Sequence, residues 1–142
     1  EPMGARLSAT DYVEDEGFTP DEAVVLAREL RARGIDYVDV SGGGLDPRQK
    51  PPFGVAYQVP MAEKVKREAD VTTMTVGLID DPKVADELIA SGKVDLVKIG
   101  RGALYNPRWA WHAAATLGAE TQFPGKYFAA QPKFRPWIFA KA

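Results

Sequence analysis

Two segments of the sequence carry glycine where an apolar run meets its loop, Val76-Gly77-Leu78 and Ile99-Gly100-Arg101-Gly102. Without a Cβ the main chain can bring its N–H groups against a phosphate, and Arg101 adds a charge-assisted, forked donor for the same oxygens. The stretch Gly102–Tyr105, just before Asn106-Pro107, has the length of one extra helical turn whose N–H groups would face the same anion. A lone glycine at such a place commonly makes only a turn; two of them with an adjoining arginine point to a phosphate site. Arg6 is the second basic candidate. Alternation puts Arg6, Ser8 and Thr10 on one face of a strand and Ala5, Leu7 and Ala9 on the other. The small apolar set suits packing under helices, which turns Arg6 inward. An inward arginine is paired with a carboxylate or bound to an anion, and the residues alone leave both readings open.

Other chemistries lack their parts. There is no Cys, hence no disulfide, thiolate nucleophile or Cys-rich zinc site, and His112 is the only imidazole, which argues against a His-rich metal centre or a Ser-His-Asp triad. His112 falls in Trp109-Ala110-Trp111-His112-Ala113-Ala114, on an expected helix remote from the strand ends, and reads as a packing residue. Of the 142 residues 45% are hydrophobic, and 18 basic against 20 acidic side chains give a net charge of −2. That is too apolar for a disordered chain and too neutral to mark a nucleic-acid or anionic-membrane partner. With no apolar run of roughly 18 residues and no signal-peptide pattern, the expectation is a cytoplasmic chain with a small-molecule ligand.

The elements that must position these residues repeat one unit four times: short apolar strand, loop, amphipathic helix. The expected strands are Ala5–Thr10, Tyr37–Ser41, Val71–Leu78 and Val94–Gly100. The first helix opens at Thr19-Pro20-Asp21-Glu22, a capping box with proline at the first helical position. It should bury Val24, Val25, Leu26 and Leu30 and end at Gly34. The second helix lies near Pro60–Ala69; the third starts at Asp81-Pro82 and stops at Gly92; the fourth starts at Asn106-Pro107 and stops at Gly118. Residues 35–43 and 94–102 echo each other, each an apolar strand breaking into a Gly-rich turn. Such alternation requires parallel strands with crossovers. Four units are half of an eight-stranded (β/α)8 TIM barrel, which typically takes about 250 residues. The chain is therefore expected to hold a half-barrel in residues 1–122 and an aromatic, proline-rich tail in 123–142 that packs on the barrel or on a neighbouring subunit.

Asp39 and Lys98 occupy matching inward positions in the echoed strands, so these opposite charges should meet inside the barrel as a structural pair. The long loop Gly42–Tyr57 follows a strand's C-terminal end and is expected to wall the site, with Tyr57 as a substrate contact; the plainer alternative is a surface loop whose aromatics pack locally.

Taken in order and spacing, Ala5-Arg6-Leu7-Ser8-Ala9-Thr10-Asp11, Asp36-Tyr37-Val38-Asp39-Val40-Ser41-Gly42-Gly43, Tyr57-Gln58-Val59-Pro60, Val76-Gly77-Leu78-Ile79 and Asp95-Leu96-Val97-Lys98-Ile99-Gly100-Arg101 resemble the C-terminal half of the Old Yellow Enzyme family. These are FMN-dependent, NAD(P)H-oxidising ene-reductases on a (β/α)8 barrel. The resemblance implies strands five to eight of that barrel. It places Arg6 near the N1/O2 edge of the flavin as the catalytic residue of this half, and Ser41, Gly42, Gly77, Gly100 and Arg101 among the FMN-binding residues. It further implies an enone substrate, an oligomer, and a separate chain or segment that supplies strands one to four.

The sequence departs from the pattern in two ways. The His-His or His-Asn pair that holds the substrate carbonyl, and the tyrosine near it, would precede the residues present. Tyr127-Phe128-Ala129-Ala130 also lacks the arginine that some members lend to a neighbouring active site, Arg135 being at best a displaced candidate. Two other readings stay open: another flavin- or phosphate-binding barrel enzyme, and a non-catalytic half-barrel that binds a phosphate ligand or self-associates through its sheet edges.

Overall fold

The computed structural model describes residues 1–14 and 16–131. In chain order these form β1 (Gly4–Ser8), α1 (Pro20–Ala32), β2 (Tyr37–Ser41), α2 (Val59–Ala69), β3 (Thr72–Thr75), α3 (Pro82–Ala90), β4 (Leu96–Val97), α4 (Arg101–Tyr105) and α5 (Trp109–Thr116), followed by a 3₁₀ segment, Gly125–Ala130. The capping box that opens α1 is complete: Thr19 Oγ1 accepts from the Glu22 N–H, and the Glu22 carboxylate accepts from the Thr19 N–H at 2.9 Å. Asp81 caps α3 by accepting from the Lys83 N–H at 2.8 Å.

The four strands form one all-parallel sheet in the order β1-β2-β3-β4. Its register aligns Arg6 with Asp39, Asp39 with Met74 and Met74 with Leu96. Leu7, Val38, Val40, Thr73 and Thr75 share the opposite face and are buried, with Val24, Ala27, Ala62, Val65 and Leu88 of the helices completing the core. The face that carries Arg6, Asp39, Met74 and Leu96 is more open, and Leu96 there is 42% exposed. A β-α-β succession with every crossover helical is the local grammar of an α/β parallel fold.

Several expectations need correction. Ala23, Val24 and Ala27 make the buried stripe of α1, whereas Val25 is 58% and Leu26 39% exposed. Three consecutive apolar residues span about 200° of a helix, more than one sheet-facing stripe can cover. The expected third and fourth strands shorten to Thr72–Thr75 and Leu96–Val97. Positive φ at Gly77 (129°) and Leu78 (54°) bends the chain out of the ladder after β3. At Asn106-Pro107 the chain makes a turn, Asn106 Oδ1 accepting from the Arg108 N–H at 3.0 Å, and α5 begins only at Trp109. The extra turn Gly102–Tyr105 forms as α4, one residue longer at its start. Of the aromatic tail, Phe123 and Tyr127 pack on Trp111, with ring centroids 4.8 and 5.2 Å away, while Phe128 is 56% exposed. Phe134, Arg135, Trp137 and Phe139 lie outside the described residues.

Candidate functional site

The two glycine-bearing strand ends meet. Gly77, after β3, and Gly100-Arg101-Gly102, where β4 runs into α4, line one hollow of about 260 Å³ at the C-terminal ends of the strands, together with Arg6, Tyr57 and Lys98. Among the described residues, the main-chain N–H groups of Gly77, Gly100, Arg101 and Gly102 donate to no protein acceptor, and the Arg101 guanidinium is exposed and forms no ion pair. A Cβ added to Gly100 would meet no atom, so the main chain there is open to approach. Residues with unpaired main-chain N–H groups and an arginine around one concavity are of the type that a phosphate monoester needs.

One side of the hollow is built by the loop before α2. Tyr57 packs against Gly77, and its ring also lies edge-on to Phe53, at 5.4 Å, and tilted to Tyr12, at 6.5 Å. Gln58, which is buried, donates from Nε2 to the Tyr57 hydroxyl at 2.6 Å, while its Oε1 is buried and unpartnered. Burial, helped by the neighbouring Tyr57, pushes the Tyr12 hydroxyl up to about 12, so that it stays a neutral phenol. The aromatics of the Gly42–Tyr57 loop pack locally, and Tyr57 lines the hollow.

The floor of the hollow carries charge. Asp39 Oδ2 accepts from Lys98 Nζ at 2.6 Å and from Arg6 Nη1 at 3.2 Å, so the expected Asp39–Lys98 contact forms, and Arg6 joins it. The Asp39 side chain is 9% exposed, against 52% for Arg6 and 40% for Lys98. Arg6 therefore pairs with a carboxylate while still presenting itself to the hollow.

Ser41 and Gly42 are placed elsewhere. The Ser41 hydroxyl donates to the Leu7 carbonyl at 3.2 Å within the sheet, and Gly42 sits against Tyr12, Thr10 and Met61. Neither lines the hollow. His112 is on α5, beside Trp111, Phe123 and Tyr127 and away from the strand ends. Sequence reasoning gave Lys98 a purely structural part and Gln58 none. The available signal for Lys98 was its place two residues before Gly100, on the inward parity of its strand.

Comparison with known proteins decides the family. Residues 1–120 match the family model described as NADH:flavin oxidoreductase / NADH oxidase. The chain belongs to that family. An NADPH dehydrogenase of Geobacillus thermodenitrificans is 40% identical over 126 residues, which cover 89% of this chain and 36% of that protein. One from Geobacillus sp. strain WCH70 is 40% identical over 117 residues, covering 82% and 34%. One from Listeria innocua is 38% identical over 126 residues, covering 89% and 37%. The chain spans about a third of the length of these relatives. Membership of the NADH:flavin oxidoreductase family agrees with the Old Yellow Enzyme resemblance of the strand-end motifs and implies a (β/α)8 barrel, of which an all-parallel sheet with helical crossovers is the local form.

Proposed function

We propose that this chain supplies strands five to eight, and the FMN phosphate site, of a cytoplasmic NAD(P)H-oxidising flavoenzyme that reduces activated C=C bonds of α,β-unsaturated carbonyls. The observation that carries this reading is that Gly77, Gly100, Arg101 and Gly102, whose main-chain N–H groups meet no protein acceptor among the described residues, line one hollow together with Arg6. That donor set fits FMN: it offers hydrogen bonds and positive charge to a phosphate at one end and a guanidinium to an electron-rich ring edge at the other. Bound there, FMN would carry electrons from the nicotinamide to the alkene.

The chain's own residues have separate tasks. Arg101 and the adjacent N–H groups bind the phosphate. Arg6, steadied by Asp39, favours negative charge on the N1/O2 edge of the ring. Tyr57, fixed by Gln58 and Phe53, walls the hollow and excludes water on that side. Ser41 and Gly42 support the cofactor indirectly, by holding β2 against β1 and the loop against Tyr12.

The groups that polarise the substrate carbonyl, with strands one to four, come from a further segment or chain. Supporting this, among the described residues β1 and β4 each pair on one side only in the sheet, and Leu96 and Arg6 on the inward face are substantially exposed. The test is the protein purified with its barrel complete: a visible flavin spectrum bleached by NADPH and restored by an enone is expected. Colour that never bleaches would leave binding without catalysis; no colour would end the FMN reading.

A further inference from the structure

Two cations of the hollow, Arg6 and Lys98, draw on a single carboxylate oxygen. Asp39 Oδ2 receives Lys98 Nζ at 2.6 Å and Arg6 Nη1 at 3.2 Å, while Asp39 Oδ1 is buried with no partner. Lys98 and Arg6 line the hollow and Asp39 does not, so a ligand faces both cations with their shared anion behind them. One carboxylate can neutralise only one of the two. The closer contact belongs to Lys98, which leaves the guanidinium of Arg6 under-compensated and available to an anion in front of it. Lys98 also precedes Gly100 by two residues, about 6–7 Å along a strand, which sets it at the level of Arg6 rather than at the phosphate-binding turn.

From this geometry we infer that Lys98 is a positioning and charge-setting residue for the cofactor ring: by holding Asp39 it frees Arg6 to stabilise the negative charge the ring gains on reduction. This rests on the FMN reading above. Removing Lys98 hands all of Asp39 to Arg6, and the cationic field over the ring edge weakens. Affinity for oxidised FMN then changes little, whereas affinity for reduced FMN falls.

The experiment uses the complete FMN-loaded protein and its Lys98→Met, Lys98→Gln and Lys98→Arg variants. The midpoint potential is read by equilibration with a reference dye, and dissociation constants are read by fluorescence for FMN and for riboflavin. In Lys98→Met and Lys98→Gln the affinity for reduced relative to oxidised FMN should drop about tenfold, a potential lower by about 30 mV for a two-electron couple, with Lys98→Arg close to the parent. Either neutral variant suffices if the other does not fold. A potential that stays put while the melting temperature falls would overturn the inference and leave Lys98 a structural partner of Asp39. So would a loss of FMN affinity that riboflavin does not share at an unchanged potential, which would reassign Lys98 to the phosphate. Failure of the unsubstituted complete protein to hold flavin would overturn the FMN reading, and this inference with it.

Discussion

The ring of Tyr57 stands against the bare Cα of Gly77: a Cβ added to Gly77 would lie 3.0 Å from Tyr57 Cε1 and 3.3 Å from Gln58 Cγ. Gly77 also holds φ at +129°, a conformation L-residues rarely adopt. Gly77→Ala therefore strains the main chain and pushes Tyr57 from its place, at a cost of about 1–3 kcal/mol. Urea unfolding should show a lower midpoint, and flavin titration weaker binding, because Tyr57 lines the hollow and its displacement reshapes that wall. A variant with the parent's midpoint would mean that the loop yields without cost, and that Tyr57 is no fixed wall.

Arg101 separates binding from stability. It is exposed and pairs with no described residue, so Arg101→Gln should change stability by less than about 0.5 kcal/mol. A charge-assisted bond to phosphate is worth about 1.5–3 kcal/mol, so the variant should bind FMN at least about tenfold more weakly. Riboflavin, which has no phosphate, should bind parent and variant alike. Equal weakening of both ligands in a fluorescence titration would remove Arg101 from the phosphate site.

Much of this was legible in the sequence, because the strand and helix boundaries are written in local chemistry. Thr19-Pro20-Asp21-Glu22 can hardly do anything but open a helix, and Gly34, at φ +91°, closes it. The convergence of Gly77 with Arg101 was legible too, since parallel strands with crossovers bring all their C-terminal ends to one rim. Side-chain rotamers were not. Parity sets Ser41 on the inward face, yet its hydroxyl turns sideways to the Leu7 carbonyl, because a short polar side chain bonds the nearest main-chain acceptor. Parity likewise brings Lys98 toward Asp39 without revealing that Arg6 shares the same oxygen. The exposed Val25 and Leu26 were misread because contiguous apolar residues carry no face of their own.

Asp95 gives the fold an acid-sensitive joint at the opposite, N-terminal end of the strands. Burial pushes its carboxyl up, but the hydrogen bond from the Thr73 N–H at 2.9 Å and the Lys66 ammonium at 2.9 Å outweigh it and hold the group below its ordinary 3.8. A carboxyl depressed in the folded state contributes stability that is complete above its unfolded pKa and is lost as pH falls through the folded one. Stability owed to Asp95 should therefore be level from pH 7 to about 5 and decline below about 4. Asp95→Asn should be less stable at pH 7 and show a shallower fall on acidification, measured by urea midpoints at each pH. A variant that tracks the parent at constant offset down to pH 3 would locate the acid sensitivity elsewhere.

The three charges on the inward face make a last prediction about the fold itself. Lys98→Met leaves a carboxylate that is only 9% exposed to the longer of its two contacts, Arg6 at 3.2 Å. Asp39→Leu leaves two cations that are 52% and 40% exposed and can turn to water. The double variant removes one charge of each sign and leaves only the half-exposed Arg6 to be hydrated. Breaking a fully buried pair costs about 3–5 kcal/mol; with both cations reaching solvent, each single variant should lose about 1–2 kcal/mol, and Lys98→Met more than Asp39→Leu. The double variant should lose less than either, a coupling that urea unfolding of the full cycle resolves. Equal losses in the singles and the double would show that a single removal strands no charge, the group left behind being satisfied by Arg6 or by water; a Lys98→Met variant as stable as the parent would show that Lys98 adds nothing to the stability of the sheet.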